Sequence, residues 1–123
     1  MKEIELYLKN RRLTVELADT LPRKAKGLMF RKKLESGKGM LFVFKKNQSI
    51  PIWMFGMRIP IDIIWINSAK EVVHIERDVE PCTSMHCPIM KSQTPSQYVL
   101  EVNAGLSNEL GLTINELVSF NLI

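Results

Sequence analysis

The sequence predicts a mainly β fold (a β-rich α+β domain). The expected architecture is an antiparallel, barrel-like sheet of seven or eight short strands with one or two short peripheral helices. Short segments alternate apolar and polar residues with a period of two, and turn residues punctuate them. No βαβ rhythm and no internal repeat interrupts that pattern. Residues 50–67, IPIWMFGMRIPIDIIWIN, then supply one strand apolar on both faces, as expected where a sheet is covered on both sides.

Residues 3–8 (EIELYL) set Ile4, Leu6 and Leu8 against Glu3, Glu5 and Tyr7, a half-buried strand. Asn10-Arg11-Arg12 supplies a turn and residues 13–17 (LTVEL) alternate again, which predicts an N-terminal hairpin. Thr20 has the character of a helix N-cap, with Pro22 in the first turn, where its missing N–H does no harm. Leu21, Ala25, Leu28 and Met29 have the spacing of one buried helical face, which predicts a helix reaching residues 30–33. Lys and Arg in its last turn suit the negative end of the helix dipole.

A loop at 35–39 (ESGKG) precedes an apolar strand at 40–44 (MLFVF). Residues 45–49 (KKNQS) turn the chain so that 50–55 pairs back as a hairpin, which Gly56 ends. Pro60 suits the entry of the buried strand at 61–66, since the first strand position needs no ladder donor. After a turn at 67–70, residues 71–77 (EVVHIER) return as a strand that carries His74, read as a packed or half-exposed residue rather than a ligand. The stretch 78–97 is the longest irregular segment, a length that in a compact domain marks function or mobility. Residues 98–102 (YVLEV) form a strand, Asn103-Ala104-Gly105 leads into a short helix at 106–110 that Gly111 stops, and 117–122 (LVSFNL) ends the sheet.

Residues 1–123 are expected to form a single domain, large enough for a core without disulfides or metals. No apolar run approaches 18 residues and the N-terminus lacks a continuous apolar segment, so the expected location is the cytoplasm, with no membrane partner. The net charge of +4 hides an asymmetry: residues 1–50 carry 13 Lys and Arg against 5 Asp and Glu, and residues 51–123 carry 4 against 8. A basic half can meet an anion or nucleic acid. Aromatic/basic interleaving, zinc-finger spacing and a helix-turn-helix pattern are absent, so nucleic acid is not the expected partner.

Asp62 is the odd residue of the chain. Set among Ile61, Ile63, Ile64, Trp65 and Ile66, its carboxylate must be hydrogen-bonded, paired or protonated, because an unpaired buried charge is strongly unfavourable. Two roles stay open: an acceptor of backbone N–H groups from a neighbouring turn, or a group that lines a ligand site. Arg58 and Arg31 are the basic residues that could accompany it. Cys82 and Cys87, with His86 beside the second, allow a disulfide stapling the loop, a zinc site with His74, an activated thiol or two free thiols. The disulfide leads, and neither a metal nor a cofactor is expected.

Five segments in order, VELADTLPRKAKGLMFR (15–31), GKGMLFVF (37–44), IWMFGMRIPIDIIWIN (52–67), VVHIERDVEPC (72–82) and YVLEVNAGLSNELGL (98–112), resemble domain-of-unknown-function family 192, also called uncharacterised protein family 0127. The resemblance implies a small β-rich domain and no established activity. Gly27-Leu28-Met29-Phe30-Arg31 matches the family's helix-end motif, Gly39-Met40-Leu41-Phe42 the strand after it, Trp53-Met54 the start of its central motif, and Pro60 with Asp62 its Pro-x-Asp. Where many members have Lys-Asn-Thr after the Trp-Met, this chain has Phe55-Gly56-Met57, which implies a more apolar ligand or a role for Arg58.

The leading functional expectation is a small-molecule binding module. Trp53 and Met54 would line an apolar and aromatic pocket, with Arg31, Arg58 and Asp62 as its polar anchors. One alternative is an enzyme using Asp62 as general acid or base beside an arginine. Neither paired carboxylates, a nucleophile elbow, a phosphate loop nor HExxH supports that alternative. The other alternative is an anion or nucleic-acid site on the basic N-terminal half.

Overall fold

Nine strands and two short helices make up the computed structural model, which describes residues 2–122. In chain order these are β1 (Glu3–Leu8), β2 (Arg11–Ala18), α1 (Leu21–Lys26), β3 (Lys38–Gln48), β4 (Ile52–Trp53), β5 (Ile61–Ile66), β6 (Val72–Val79), β7 (Ile89–Met90), β8 (Ser96–Asn103), α2 (Leu106–Leu110) and β9 (Val118–Phe120). Seven strands form a curled half-barrel in the order β6-β5-β8-β3-β2-β1-β9, and β4 and β7 form a separate two-stranded ribbon. The fold is mainly β, as the alternation predicts.

The first hairpin turns at Lys9 and Asn10, one residue before the expected position, because both adopt positive φ (47° and 67°) and join Leu8 directly to Arg11. Two left-handed residues give the turn the twist that its flanking strands need. The sheet is antiparallel except at β2–β3, where Thr14 to Ala18 run parallel to Lys38 to Phe42. A parallel neighbour needs a crossover, and residues 19–37 with α1 supply it. One βαβ unit therefore sits inside a sheet that the sequence reads as wholly antiparallel.

The expected hairpin of 40–44 with 50–55 does not form. β3 pairs instead with β8, while Ile52 and Trp53 pair with Met90 and Ile89 from the stretch that reads as irregular. α1 is also shorter than its apolar spacing suggests. Thr20 does cap it, its hydroxyl accepting from the Arg23 N–H, but Gly27 ends it at φ 50°. Leu21 and Ala25 stay exposed, and only Leu28, beyond the helix, is fully buried.

The pleat divides the buried residues between two faces. Leu6, Leu8, Val15, Leu41, Ile64, Leu100 and Val102 pack on one, and Met40, Phe42, Ile61, Ile63, Trp65 and Val99 on the other. At one end the sheet edges approach each other: Val72 donates its N–H to the Glu116 carbonyl, and Val118 donates to the Lys70 carbonyl. A bridge between Glu71 and Leu117 completes that junction.

Candidate functional site

Two carboxyls are buried in the centre of the sheet, and they stand on opposite faces. Asp62 lies opposite Val102, while Glu101 lies opposite Ile63 on one side and Met40 on the other. Residues directly across a ladder share a face, so Asp62 joins the face of Val102 and Glu101 the face of Met40 and Ile63.

Asp62 is fully buried and fully bonded. Its carboxylate accepts from the N–H of Asp78 (2.8 Å), the N–H of Gly105 (3.3 Å), and both the N–H (2.8 Å) and hydroxyl (2.7 Å) of Ser107. It thereby satisfies donors at the start of α2 that the helix itself leaves open. It also fixes a bulge in β6, where Asp78 takes φ 50°. Of the two roles open to Asp62 in the sequence, it performs the first.

Glu101 has the contrary environment. It is 4 % exposed, and no side chain or backbone group among the described residues bonds or charge-pairs with its carboxyl. Burial alone pushes its pKa up to about 8, with no neighbouring positive charge to offset the loss of hydration. The carboxyl helps line a cavity of about 190 Å³. One wall is the stretch from Lys24 to Met29, where α1 ends, and Phe42 of β3 adds a ring. Pro51, Ile52, Trp53, Phe55 and Met57 form the opposite wall.

Close approach of those walls depends on two glycines. A Cβ on Gly27 would lie 3.0 Å from the Phe42 ring, and one on Gly56 would lie 2.6 Å from the Met29 methyl; both residues have positive φ. The 51–57 wall is held from behind. Phe55 bridges to Cys82, Gly56 donates to the Cys82 carbonyl, and Cys82 donates to the Met54 carbonyl. A disulfide joins Cys82 to Cys87 and closes the loop that carries these contacts. Trp53 and Phe55 stack at 5.3 Å between centroids, and Trp53 is 51 % exposed at the cavity mouth.

The residues singled out in the sequence do not share one pocket, and this is a correction. Trp53 alone lines the cavity, and Met54 is buried behind it. Arg58 is exposed just beyond Met57. Arg31 is bound bidentately to Glu16 of β2, which holds the Glu16 carboxyl below the usual carboxylate range and raises the guanidinium pKa in turn. Asp62 faces away, so the expected Arg/Asp anchor is absent and its acid–base role loses its geometry. The carboxyl that lines the cavity is Glu101. Its signal was visible: in YVLEV it alternates with Tyr98, Leu100 and Val102, and so shares a face with Val99 rather than with solvent.

The basic N-terminal half is partly answered by the acidic C-terminal half, through Lys9–Glu116 and Arg11–Glu109. Among the described residues no three His, Cys, Asp or Glu side chains converge as a metal site. No helix there is long and apolar enough to cross a membrane.

The family model for DUF192, described as "Uncharacterized ACR", matches residues 4–120. A UPF0127 protein of Thermococcus gammatolerans is 28 % identical over 108 residues, covering 88 % of this chain and 67 % of that one. A second, from Thermococcus kodakarensis, is 27 % identical over 106 residues, covering 86 % and 64 %. The chain thus spans about two thirds of the length of these relatives. A crystal structure of a protein of unknown function from Novosphingobium aromaticivorans superposes with a TM-score of 0.82 at 30 % identity, covering 95 % of this chain and 83 % of that one. Another, from Sinorhizobium meliloti and described as a candidate transcription regulator, gives 0.85 at 30 % identity, covering 96 % and 92 %. With the family model spanning nearly its whole length, the chain belongs to the DUF192 (UPF0127) family.

Proposed function

We propose that the protein is a small-molecule binding module whose site is the cavity between α1 and the 51–57 segment, with Glu101 as its polar anchor. One observation carries this reading: a carboxyl 4 % exposed and without a protein partner helps line a cavity whose other walls are mainly apolar and aromatic, with Lys24 and Lys26 of α1 at its edge. The Glu101 oxygens are not sealed in the core like Ser96 Oγ but open on the cavity, where they are available to whatever occupies it. Apolar walls around a few polar groups are the usual make-up of ligand sites. At about 190 Å³ the cavity suits a molecule of one ring with its substituents, since an apolar cavity of roughly 150 Å³ accommodates benzene.

The test is a fragment screen by amide chemical-shift mapping on the wild type and on Trp53→Ala. Ring-sized fragments should move the amide signals of Gly27, Phe55 and Glu101, and Trp53→Ala should weaken them at least several-fold. A screen that moves none of these signals, or moves them equally in the variant, overturns the assignment. A second reading follows from the raised pKa of the same carboxyl: a group that titrates near neutral pH suits proton transfer to or from a bound substrate. It requires turnover that Glu101→Gln abolishes with binding retained.

A further inference from the structure

We infer that the cavity takes a small organic cation, an amidinium or ammonium on a body of about one ring, with the positive group against the Glu101 carboxylate. This rests on the binding reading above and adds the chemistry of the ligand.

The cavity offers one kind of charge at its inner surface. Met40 and Phe42 of β3, Ile63 of β5, and Val99 and Asn103 of β8 flank Glu101, and none carries a charge. Asn103 is itself engaged, donating its amide to the Leu34 carbonyl. The 51–57 segment contributes no ionisable side chain, and Arg58 beyond it is exposed. The charged groups that do face the cavity are Lys24 and Lys26 of α1. The Lys24 ammonium rests 4.2 Å from the centroid of the Phe44 ring, and Phe44 is not part of the cavity wall. Lys26 is exposed. Neither ammonium reaches the carboxyl, whose pKa is raised by burial alone.

Three ligand chemistries then rank by physics. An anion would find Lys24 and Lys26 at the outer edge, but at the inner surface it would place like charge against Glu101 or force it to stay protonated. A neutral ligand would make at most ordinary hydrogen bonds with the protonated acid. A cation gains charge-assisted bonds, about twice as strong as neutral ones and bidentate for a planar amidinium. It also lies beside the rings of Phe42, Trp53 and Phe55, and aromatic rings attract cations. The carboxyl must ionise to receive it, so a cation binding below pH 8 displaces a proton.

Benzamidine, benzamide and benzoate share one ring and differ in charge, which makes them the probes. Each is titrated into the wild type between pH 6 and 9 by calorimetry, in two buffers of different ionisation heat. Benzamidine should bind at least tenfold tighter than benzamide at pH 8, with benzoate weakest. Its affinity should rise about tenfold from pH 6 to pH 7 and level off above about pH 8, with close to one proton released per molecule at pH 6. Glu101→Gln should remove the preference for benzamidine over benzamide and the pH dependence; Trp53→Ala, at the half-exposed rim, should weaken benzamidine. Benzamide or benzoate binding as well as benzamidine, a flat pH profile in the wild type, or an unchanged preference in Glu101→Gln overturns the cation inference and leaves the binding module standing. Absence of all three ligands together with a blank fragment screen overturns both.

Discussion

Glu101 and Asp62 are two acidic residues in adjacent strands with opposite consequences for stability. For Glu101 the folded-state pKa lies above the unfolded value of 4.5, at about 8. Below pH 4.5 both states hold the proton and the shift contributes nothing. Between 4.5 and 8 the unfolded chain ionises first, so stability falls as pH rises, and above 8 the full penalty is present. At 1.36 kcal/mol per pKa unit the penalty is on the order of 5 kcal/mol. Glu101→Gln, which keeps the shape and removes the charge, should therefore raise stability by a few kcal/mol at pH 8–9, with the gain shrinking towards pH 4.5. Denaturant unfolding of both proteins across that range measures it, and parallel pH profiles would refute the burial of an unpaired acid. Asp62 behaves in the other sense, since its removal strands donors from Asp78, Gly105 and Ser107. Asp62→Ala should destabilise by about 3 kcal/mol or more, as each buried donor left unpaired costs about 1–3 kcal/mol. Amide exchange at Ser107 and Gly105 should accelerate beyond the global loss, and a stability change under 1 kcal/mol would contradict the network.

At the scale of elements, the cavity wall from 51 to 57 owes its position to a loop far away in sequence. The β4–β7 ribbon has only two residues per strand, too little to stand alone. It is completed by the Cys82 contacts with Met54, Phe55 and Gly56 and by the Cys82–Cys87 link. Closing a ring of about six residues stabilises by only about 2 kcal/mol in the chain-entropy model. Mild reduction should therefore lower stability by about 2 kcal/mol without unfolding the chain, and should raise amide exchange first at Gly56 and Cys82, whose N–H groups make these contacts. Unchanged exchange there, with or without reductant, would show that the loop positions the wall without its covalent tie. This part of the site was illegible in the sequence for a physical reason. Pairing between residues 52–53 and 89–90 is non-local, and no alternation over two residues can announce it. The same limit explains β2–β3: hydrophobic period marks a strand but carries no information on the direction of its neighbour. α1 shows a different failure, since helical spacing at Leu21, Ala25 and Leu28 competes with a glycine at 27 that stops the helix before the third turn.

Across the whole molecule, what could be read early was whatever is set locally: the β-rich class, the first hairpin, the Thr20 cap, and the burial of 61–66. What could not be read was which face each buried acid occupies relative to a cavity, because that requires the register of β5 against β8. The register also sets the order in which the structure should loosen. β8 lies between β3 and β5, and the three carry Phe42, Ile63 and Glu101 on the cavity face. The β4–β7 ribbon forms no ladder with the main sheet. Local opening therefore needs no break in the central sheet: the outer wall can swing while the inner surface stays intact. Native-state hydrogen exchange at rising denaturant should show amides of residues 99–102 exchanging only through global unfolding, for a domain of this size about 5–15 kcal/mol. Those of Ile52, Trp53 and Ile89 should open at several kcal/mol less. A ligand in the cavity touches both parts, so saturating it should slow exchange in the ribbon more than in β8. If the ribbon exchanges only with global unfolding in the empty protein, the two-stranded wall is an integral part of the cooperative core, and entry to the cavity must occur through its open mouth beside Trp53 without movement of the wall.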